Sequence, residues 1–414
     1  MRICFIVGSF PSLSETFILN QMTGLLDQRH SVCIYAGDRS DDAVVHEDVI
    51  RSGLLNHVRF HNDKPRSRLA RVGKFLALLP VALSRAPLTV LHSLNVFRFG
   101  REAWSLNLFF KALKFLEARD CEVVFCHFGQ NGLTGLRMKE LGALKGKLVV
   151  VFHAADISAY VEREGRDIYR KLFARGDLFL PVTQHARGKL LELGCPPEKA
   201  LVHRMGVDLD RFRLNTRKRF GSAPLKILSV ARLVEKKGIR YGIEAVGQLN
   251  REGFECEYTV VGDGPLRAEL EAQARALGVG RGVRFVGWQD SGSVRRYLQD
   301  ADIFLAPSIR AGNGDEEGIP VVLMEAMAGC IPVVSTPTGG IRELVREGET
   351  GFLVEERNAG AIAGKLKQIW SAPALVEKVA VGARGIIEAQ YNISVLNQTL
   401  IKLFTAVVYE KRIS

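Results

Sequence analysis

The chain has 414 residues, 47% hydrophobic and 25% charged, enough apolar material for two ordinary cores, since a single core stops growing at roughly 250–300 residues. That balance excludes a disordered chain and one embedded throughout in a bilayer. The most apolar stretch, Phe75 to Leu83, runs into Arg85 and Pro87 and is too short for a membrane span of about 20 residues.

From the N-terminus, Met1-Arg2 leads into an apolar run at 3–7 that is too short for a signal-peptide core and reads as a first strand. Residence in the cytoplasm is the resulting expectation. Further strands are predicted at 32–35, 123–126, 148–152 and 178–182, then at 227–230, 258–261, 283–286, 303–306, 333–335 and 351–354. Helical patterns separate them, which is the signature of parallel sheets crossed by helices. A polar, basic stretch at 215–224 divides two such sets. The expected organisation is therefore an α/β protein with two doubly wound, Rossmann-like domains at 1–205 and 225–394, joined by a linker at 206–224. Leu396, Leu400, Leu403, Phe404 and Val407 recur near helical period, so a final helix at about 395–414 is expected to pack back across the first domain.

The formal net charge of +12 is unevenly placed, residues 59–119 carrying 12 Lys and Arg against 3 Asp and Glu. Within that segment Arg66, Arg68, Arg71 and Lys74 interleave with Phe75, Leu76, Leu78 and Leu79. Such a pattern suits a helix lying on an anionic bilayer, and equally an amphipathic core helix with a solvated basic face. No zinc-finger or RNP-type motif accompanies the charge, so no nucleic-acid partner is expected. The seven cysteines form no CxxC and no Cys/His ligand spacing and read as buried free thiols.

In doubly wound sheets ligands bind beyond the carboxyl ends of the strands, so two sheets facing each other enclose a cleft. The first loop, Gly8-Ser-Phe-Pro-Ser-Leu-Ser-Glu15, lacks GxGxxG, which argues against a dehydrogenase. The densest cluster is Pro307 to Gly329, where a strand passes through a glycine-rich loop into a helix expected to begin at about Ile319-Pro320. The backbone N–H groups of Gly318, Ile319 and Pro320's neighbours, at the positive end of that helix, form a seat for a phosphate or a polar sugar. Glu317 before the helix and Glu325 within it are suited to accept hydrogen bonds from sugar and ribose hydroxyls.

Glu317-Gly-Ile-Pro and Glu325-Ala-Met-Ala-Gly329 resemble the E-x7-E motif of retaining GT-B enzymes, glycosyltransferase family 4. Ser229-Val-Ala-Arg-Leu-Val-Glu-Lys-Lys-Gly238 is similar to that family's donor-phosphate segment, and Gly262-Asp-Gly-Pro265, Gly287-Trp288 and Gly339-Gly-Ile-Arg-Glu343 follow in order. The resemblance spans the whole chain and implies a GT-B fold, with the donor held by the second domain and the acceptor by the first. It implies that Glu325 binds the nucleotide ribose, that Glu317 binds donor-sugar hydroxyls, and that Gly262 and Gly264 belong to the donor site. Arg232 and Lys237 would neutralise the departing diphosphate, since fixed cations stabilise charge that develops there. Asp208-Leu-Asp210 lies in a segment similar to the family's interdomain Gly-Val-Asp and reads as structural, so no metal and no cofactor are expected, the nucleotide sugar being a co-substrate.

In the first half, Phe152-His-Ala-Ala-Asp-Ile157 looks like the family's His-x-x-Asp loop, which implies that His153 hydrogen-bonds the donor sugar and Asp156 orients nearby groups. His127 either lines the acceptor side or caps a strand. The first loop departs from the common glycine pair. Pro11-Ser-Leu-Ser-Glu-Thr-Phe17 resembles instead the subset that builds bacterial exopolysaccharides of the colanic-acid type. Ser14, Glu15 and Thr16 are candidate acceptor contacts, or Ser12 or Ser14 caps a helix with Glu15 in its first turn. The resemblance implies front-face transfer with retention to a glycan or polyprenyl-diphosphate-linked acceptor at the inner membrane surface. A GT-B sugar-nucleotide epimerase and a non-catalytic nucleotide-binding or membrane-surface subunit are the alternatives.

Overall fold

The computed structural model describes residues 1–12, 15–40, 47–65, 67–212 and 224–409. Six strands of the first half, β1 (Arg2–Phe10), β2 (Ser31–Arg39), β3 (Val58–Phe60), β4 (Val123–His127), β5 (Lys147–Phe152) and β6 (Leu178–Pro181), form one sheet in the order β3-β2-β1-β4-β5-β6. Six of the second half, β7 (Leu225–Val230), β8 (Cys256–Val261), β9 (Val283–Phe285), β10 (Ile303–Ala306), β11 (Val333–Ser335) and β12 (Phe352–Leu353), form another in the order β12-β11-β10-β7-β8-β9. Every strand pairing in both sheets is parallel.

The near-continuous apolar character of these strands follows from that arrangement, because helices cover both faces of a parallel sheet. Ile3, Phe5, Val123, Phe125, Val149 and Val151 fill one face of the first sheet, and Cys4, Ile6, Val124, Cys126, Leu148 and Val150 the other. All predicted strands are present with shifted ends. β3 is the addition: three residues around an exposed Arg59 carry too little periodicity to be read.

The chain crosses between the sheets twice, and the two crossings are hydrogen-bonded to each other. Val207 N–H donates to Tyr391 O at 2.8 Å and Ile393 N–H donates to Val207 O at 3.1 Å. Gly206 allows this approach, since a Cβ there would lie 2.8 Å from the Ile393 Cα. Of the expected linker, residues 213–223 lie outside the described residues.

The helix Ile393–Val408 packs on the helix Thr16–Asp27, with Asn397 Nδ2 donating to Asn20 O at 3.4 Å. Phe404, fully buried, meets Phe125 of β4 edge to face at 5.0 Å. Residues 410–414 lie outside the described residues.

Two local expectations need correction. The helix after the glycine-rich loop is Val321–Ala328, so Pro320 is its N-cap and not its first helical residue. The first helix is Thr16–Asp27 with Glu15 itself at the N-cap and no side-chain cap bond. Ser14 lies outside the described residues.

Replacing Phe404 by Ala leaves a hole between the last helix and the first sheet. The expected loss is about 3–5 kcal/mol of stability, measured as a lowered midpoint of thermal or urea unfolding.

Candidate active site

The carboxyl ends of the two sheets face each other across a cavity of about 430 Å³. Its second-half wall is built by the loops after β7, β8 and β10, the strands around the point where the strand order reverses, which is where doubly wound sheets hold ligands. Arg232, Lys236 and Lys237 come from the loop after β7, and Glu317, Gly318, Ile319, Pro320 and Glu325 from the loop and helix after β10.

Lys237 Nζ is 2.7 Å from Glu317 Oε1, and Lys236 Nζ is 3.1 Å from Asp315 Oδ1. Burial works to raise the Glu317 carboxyl, but Lys237, Lys236 and Arg232 outweigh it and hold the group below its ordinary value. Glu317 is therefore ionised and 6% exposed, an anion that persists there because cations surround it. Glu325 has the opposite setting. It lies one turn into the helix Val321–Ala328, half-buried, and desolvation pushes its carboxyl up to about 7 against the opposing pull of Arg295 and Arg211. Between them, Val321 and Val322 open the helix and border the cavity, and the first N–H groups of any helix lack intrahelical acceptors.

Gly339 seats this loop. Its φ is +52°, and a Cβ there would fall 1.9 Å from Glu317 O, so only glycine supports the backbone that carries the carboxylate. Gly262 borders the cavity, whereas Gly264 does not. Gly264 packs against Leu233, where a Cβ would lie 2.6 Å from its carbonyl oxygen. Gly264 thus shapes the packing of the loop after β8 against the loop after β7.

The first-half wall comes from the first loop and the ends of β4 and β5. Glu15, Thr16, Phe17, Phe128 and His153 border the cavity. His127 and Asp156 do not border it: both are fully buried behind that wall, at the end of β4 and in the loop after β5. Asp156 stitches the two loops together, accepting from Gly129 N at 2.9 Å through Oδ2 and from His153 N at 3.0 Å through Oδ1. Burial pushes its carboxyl up to about 6 against the pull of these backbone donors. Burial likewise lowers His153 to about 3, so its ring is neutral.

Several groups at the cleft were not legible in sequence. Arg211 bridges Asp48 with two bonds, NH1 to Oδ2 at 2.6 Å and NH2 to Oδ1 at 2.8 Å, and also takes Asp208 Oδ2 at 2.9 Å. Asp208, which also borders the cavity, accepts as well from the Asp210 N–H at 3.0 Å through Oδ1. Glu343 of the second half caps the helix Gln184–Glu192 of the first, accepting from Gln184 N at 3.0 Å and His185 N at 2.8 Å. Glu316 accepts from His185 Nε2 at 2.8 Å and from Lys189 Nζ. No short motif announces the Arg211–Asp48, Glu343 and Glu316 contacts, because their partners are 127 to 163 residues apart.

The family description "Glycosyltransferase Family 4" matches residues 14–211, and "Glycosyl transferases group 1" matches 211–386. The chain is 38% identical over 409 residues to the putative colanic acid biosynthesis glycosyltransferase WcaL of Salmonella typhimurium, covering 98% of this chain and 100% of that protein. It is 37% identical to the amylovoran biosynthesis glycosyltransferase AmsK of Erwinia amylovora, covering 95% and 96%. Among solved structures, sucrose-phosphate synthase from Thermosynechococcus elongatus superposes with a TM-score of 0.74 at 17% identity, covering 99% of this chain and 100% of that one. Anabaena HepE in complex with UDP-glucose superposes with a TM-score of 0.72 at 18% identity, covering 98% and 100%. The chain is thus a glycosyltransferase of GT-B fold and belongs to glycosyltransferase family 4.

Proposed function

We propose that this enzyme moves a glycosyl unit from a nucleoside diphosphate sugar to a glycan or polyprenyl-diphosphate-linked acceptor, with retention and without a resident metal, in exopolysaccharide assembly at the cytoplasmic face of a membrane. The carrying observation is the Lys237–Glu317 pair at 2.7 Å, with Arg232 bordering the same cavity. The cations meet the charge that grows on the leaving diphosphate as the bond from the sugar's anomeric carbon to the phosphate oxygen breaks. Glu317, already ionised, accepts from donor-sugar hydroxyls, and Glu325 accepts from the ribose. The acceptor hydroxyl forms the new bond on the face the diphosphate leaves, passing its proton to a diphosphate oxygen. The kinship to colanic-acid and amylovoran glycosyltransferases supports the exopolysaccharide assignment.

The membrane part of this reading rests on the helices Arg68–Arg85, Pro87–Ser93 and Val96–Trp104. Leu69 is 88% exposed, Phe97 fully exposed and Trp104 79% exposed. Arg68, Lys74, Arg85, Arg98 and Arg101 are exposed among them. Large apolar side chains left in water beside cations fit a leaflet with anionic headgroups. Among the described residues no helix is long and apolar enough to cross a membrane, so the contact would be peripheral. Arg66 lies outside the described residues.

Three outcomes are expected. Arg232→Ala and Lys237→Ala should each lower kcat by about 10²–10³-fold, the cost of removing a group that meets developing charge, with release of the nucleoside diphosphate as the assay; wild-type-like turnover in both would overturn the assignment. Affinity for nucleoside diphosphate should rise with pH through about 7, because ribose hydroxyls favour the ionised form of a carboxyl that burial holds high. Below that pH each unit should cost up to about tenfold, and Glu325→Gln should remove this component, as titration calorimetry of both proteins across pH would measure. Phe97→Ser with Trp104→Ser should weaken sedimentation with anionic vesicles by about tenfold or more while soluble donor turnover is unchanged.

A further inference from the structure

His127 and His153 occupy neighbouring positions at the ends of β4 and β5, with His127 Nδ1 3.3 Å from His153 Nε2. Their rings are 25° from parallel with centroids 5.5 Å apart. The remaining nitrogens, Nε2 of His127 and Nδ1 of His153, are buried and have no hydrogen-bond partner among the described residues. The spacing is fixed from behind. Asp156 takes the N–H groups of both Gly129 and His153, and Asn131 Nδ2 donates to His127 O at 2.7 Å.

The two rings differ in what surrounds them. His127 is fully buried, with Phe5 stacked at 6.0 Å and Phe125 edge-on at 4.9 Å. His153 borders the cavity. Burial holds both rings in the neutral form, so each carries one proton, and only one of the two protons can occupy the gap between them.

If His153 donated across the gap, His127 would carry its proton on Nε2. That N–H would sit among aromatic rings with no acceptor, the costlier kind of unsatisfied group. If His127 donates from Nδ1, its Nε2 is only a bare lone pair. His153 then carries its proton on Nδ1, in the residue that meets the cavity, where a bound ligand's oxygen can accept it. With Nε2 engaged, Nδ1 is the one ring nitrogen His153 has left for a ligand.

We propose that His127 is a positioning residue: its Nδ1–H bond to His153 Nε2 holds His153 in the Nδ1–H tautomer and so makes it a hydrogen-bond donor to an oxygen of the glycosyl donor. This rests on reading the cavity as the donor site. It reassigns His127 from a surface that touches substrate to a group that acts through its neighbour, and it fixes the direction of the His153 bond: the ligand accepts.

Long-range 1H–15N correlation on histidine-labelled protein tests the tautomer, with the His153 signals identified by their loss in His153→Asn. The expected wild-type spectrum shows His153 protonated at Nδ1 and bare at Nε2. His127→Phe should shift His153 toward the Nε2–H form and lower kcat by about tenfold, the scale of one hydrogen bond, without changing the Kd for nucleoside diphosphate. His127→Asn places an amide N–H where Nδ1 stands and should restore both the tautomer and most of kcat. A wild-type His153 protonated at Nε2 overturns the proposal, as does a His127→Phe protein with wild-type tautomer and kcat. Should His127→Phe fail to fold, the wild-type and His127→Asn spectra still decide. Absence of nucleoside diphosphate binding to the wild type would instead overturn the donor-site reading and leave the tautomer result intact.

Discussion

The rest of the structure depends on the pair of crossings at Gly206–Val207 and Tyr391–Ile393. Two doubly wound sheets make a cleft only if their carboxyl edges are held face to face, and a single flexible linker would leave that orientation free. Here the chain passes between the sheets a second time and bonds to its first passage at 2.8 and 3.1 Å. The last helix then anchors on the first half through Phe404 and Asn397. Both halves share one continuous apolar cluster, to which Val207, Tyr391 and Phe404 all belong. The halves are thus joined by two hydrogen-bonded passages of chain and not by one.

Within the cleft, the environment sorts two carboxylates to opposite states. Glu317 and Glu325 are eight residues apart in sequence and border the same cavity, yet one is held low by three cations and the other pushed up to about 7 by enclosure. An ionised group beside fixed cations suits a step in which charge moves onto a leaving group. A buried carboxyl near neutrality gains stability in its charged form from any group that donates to it, so its ionisation would respond to what occupies the cavity. The same physics sets the histidines of the first wall. Burial holds both rings neutral, so what His153 presents at the cavity is an uncharged imidazole and not a cation.

The fold was legible because parallel sheets write themselves as repeated apolar runs separated by helical periods, and all eleven runs located by that rule are strands. β3 escaped since Val58–Phe60 is short and contains Arg59. The second-half wall of the cavity was legible for a different reason: its residues cluster in two short segments, 232–237 and 317–325, whose spacing is fixed by one turn and one helix. The first wall was not. His127, His153 and Asp156 look alike in sequence, each a polar residue after a strand, and only the packing decides that one borders the cavity while two stand behind it. Helix starts were misplaced by a residue or two for a local cause, as Pro320 and Glu15 both have N-cap backbone positions that sequence alone does not separate from the first turn.

Glu316 and Glu317 show how the two halves are tied to the chemistry. These adjacent carboxylates point their allegiance in opposite directions: Glu316 is held by His185 and Lys189 of the first half, Glu317 by Lys237 of the second. Burial works against the ionised Glu316, but His185 and Lys189 overcome it and hold it at about 2, so this tie is charged across the whole neutral range. Glu343 adds a second tie, capping the helix that carries both His185 and Lys189. Any separation of the halves must therefore either break a largely buried charge pair or drag the peptide that bears Glu317 away from Lys237. A buried charge left without its partner is strongly unfavourable, so the Glu316 contacts resist separation of the halves, and one peptide bond joins them to the Glu317–Lys237 pair.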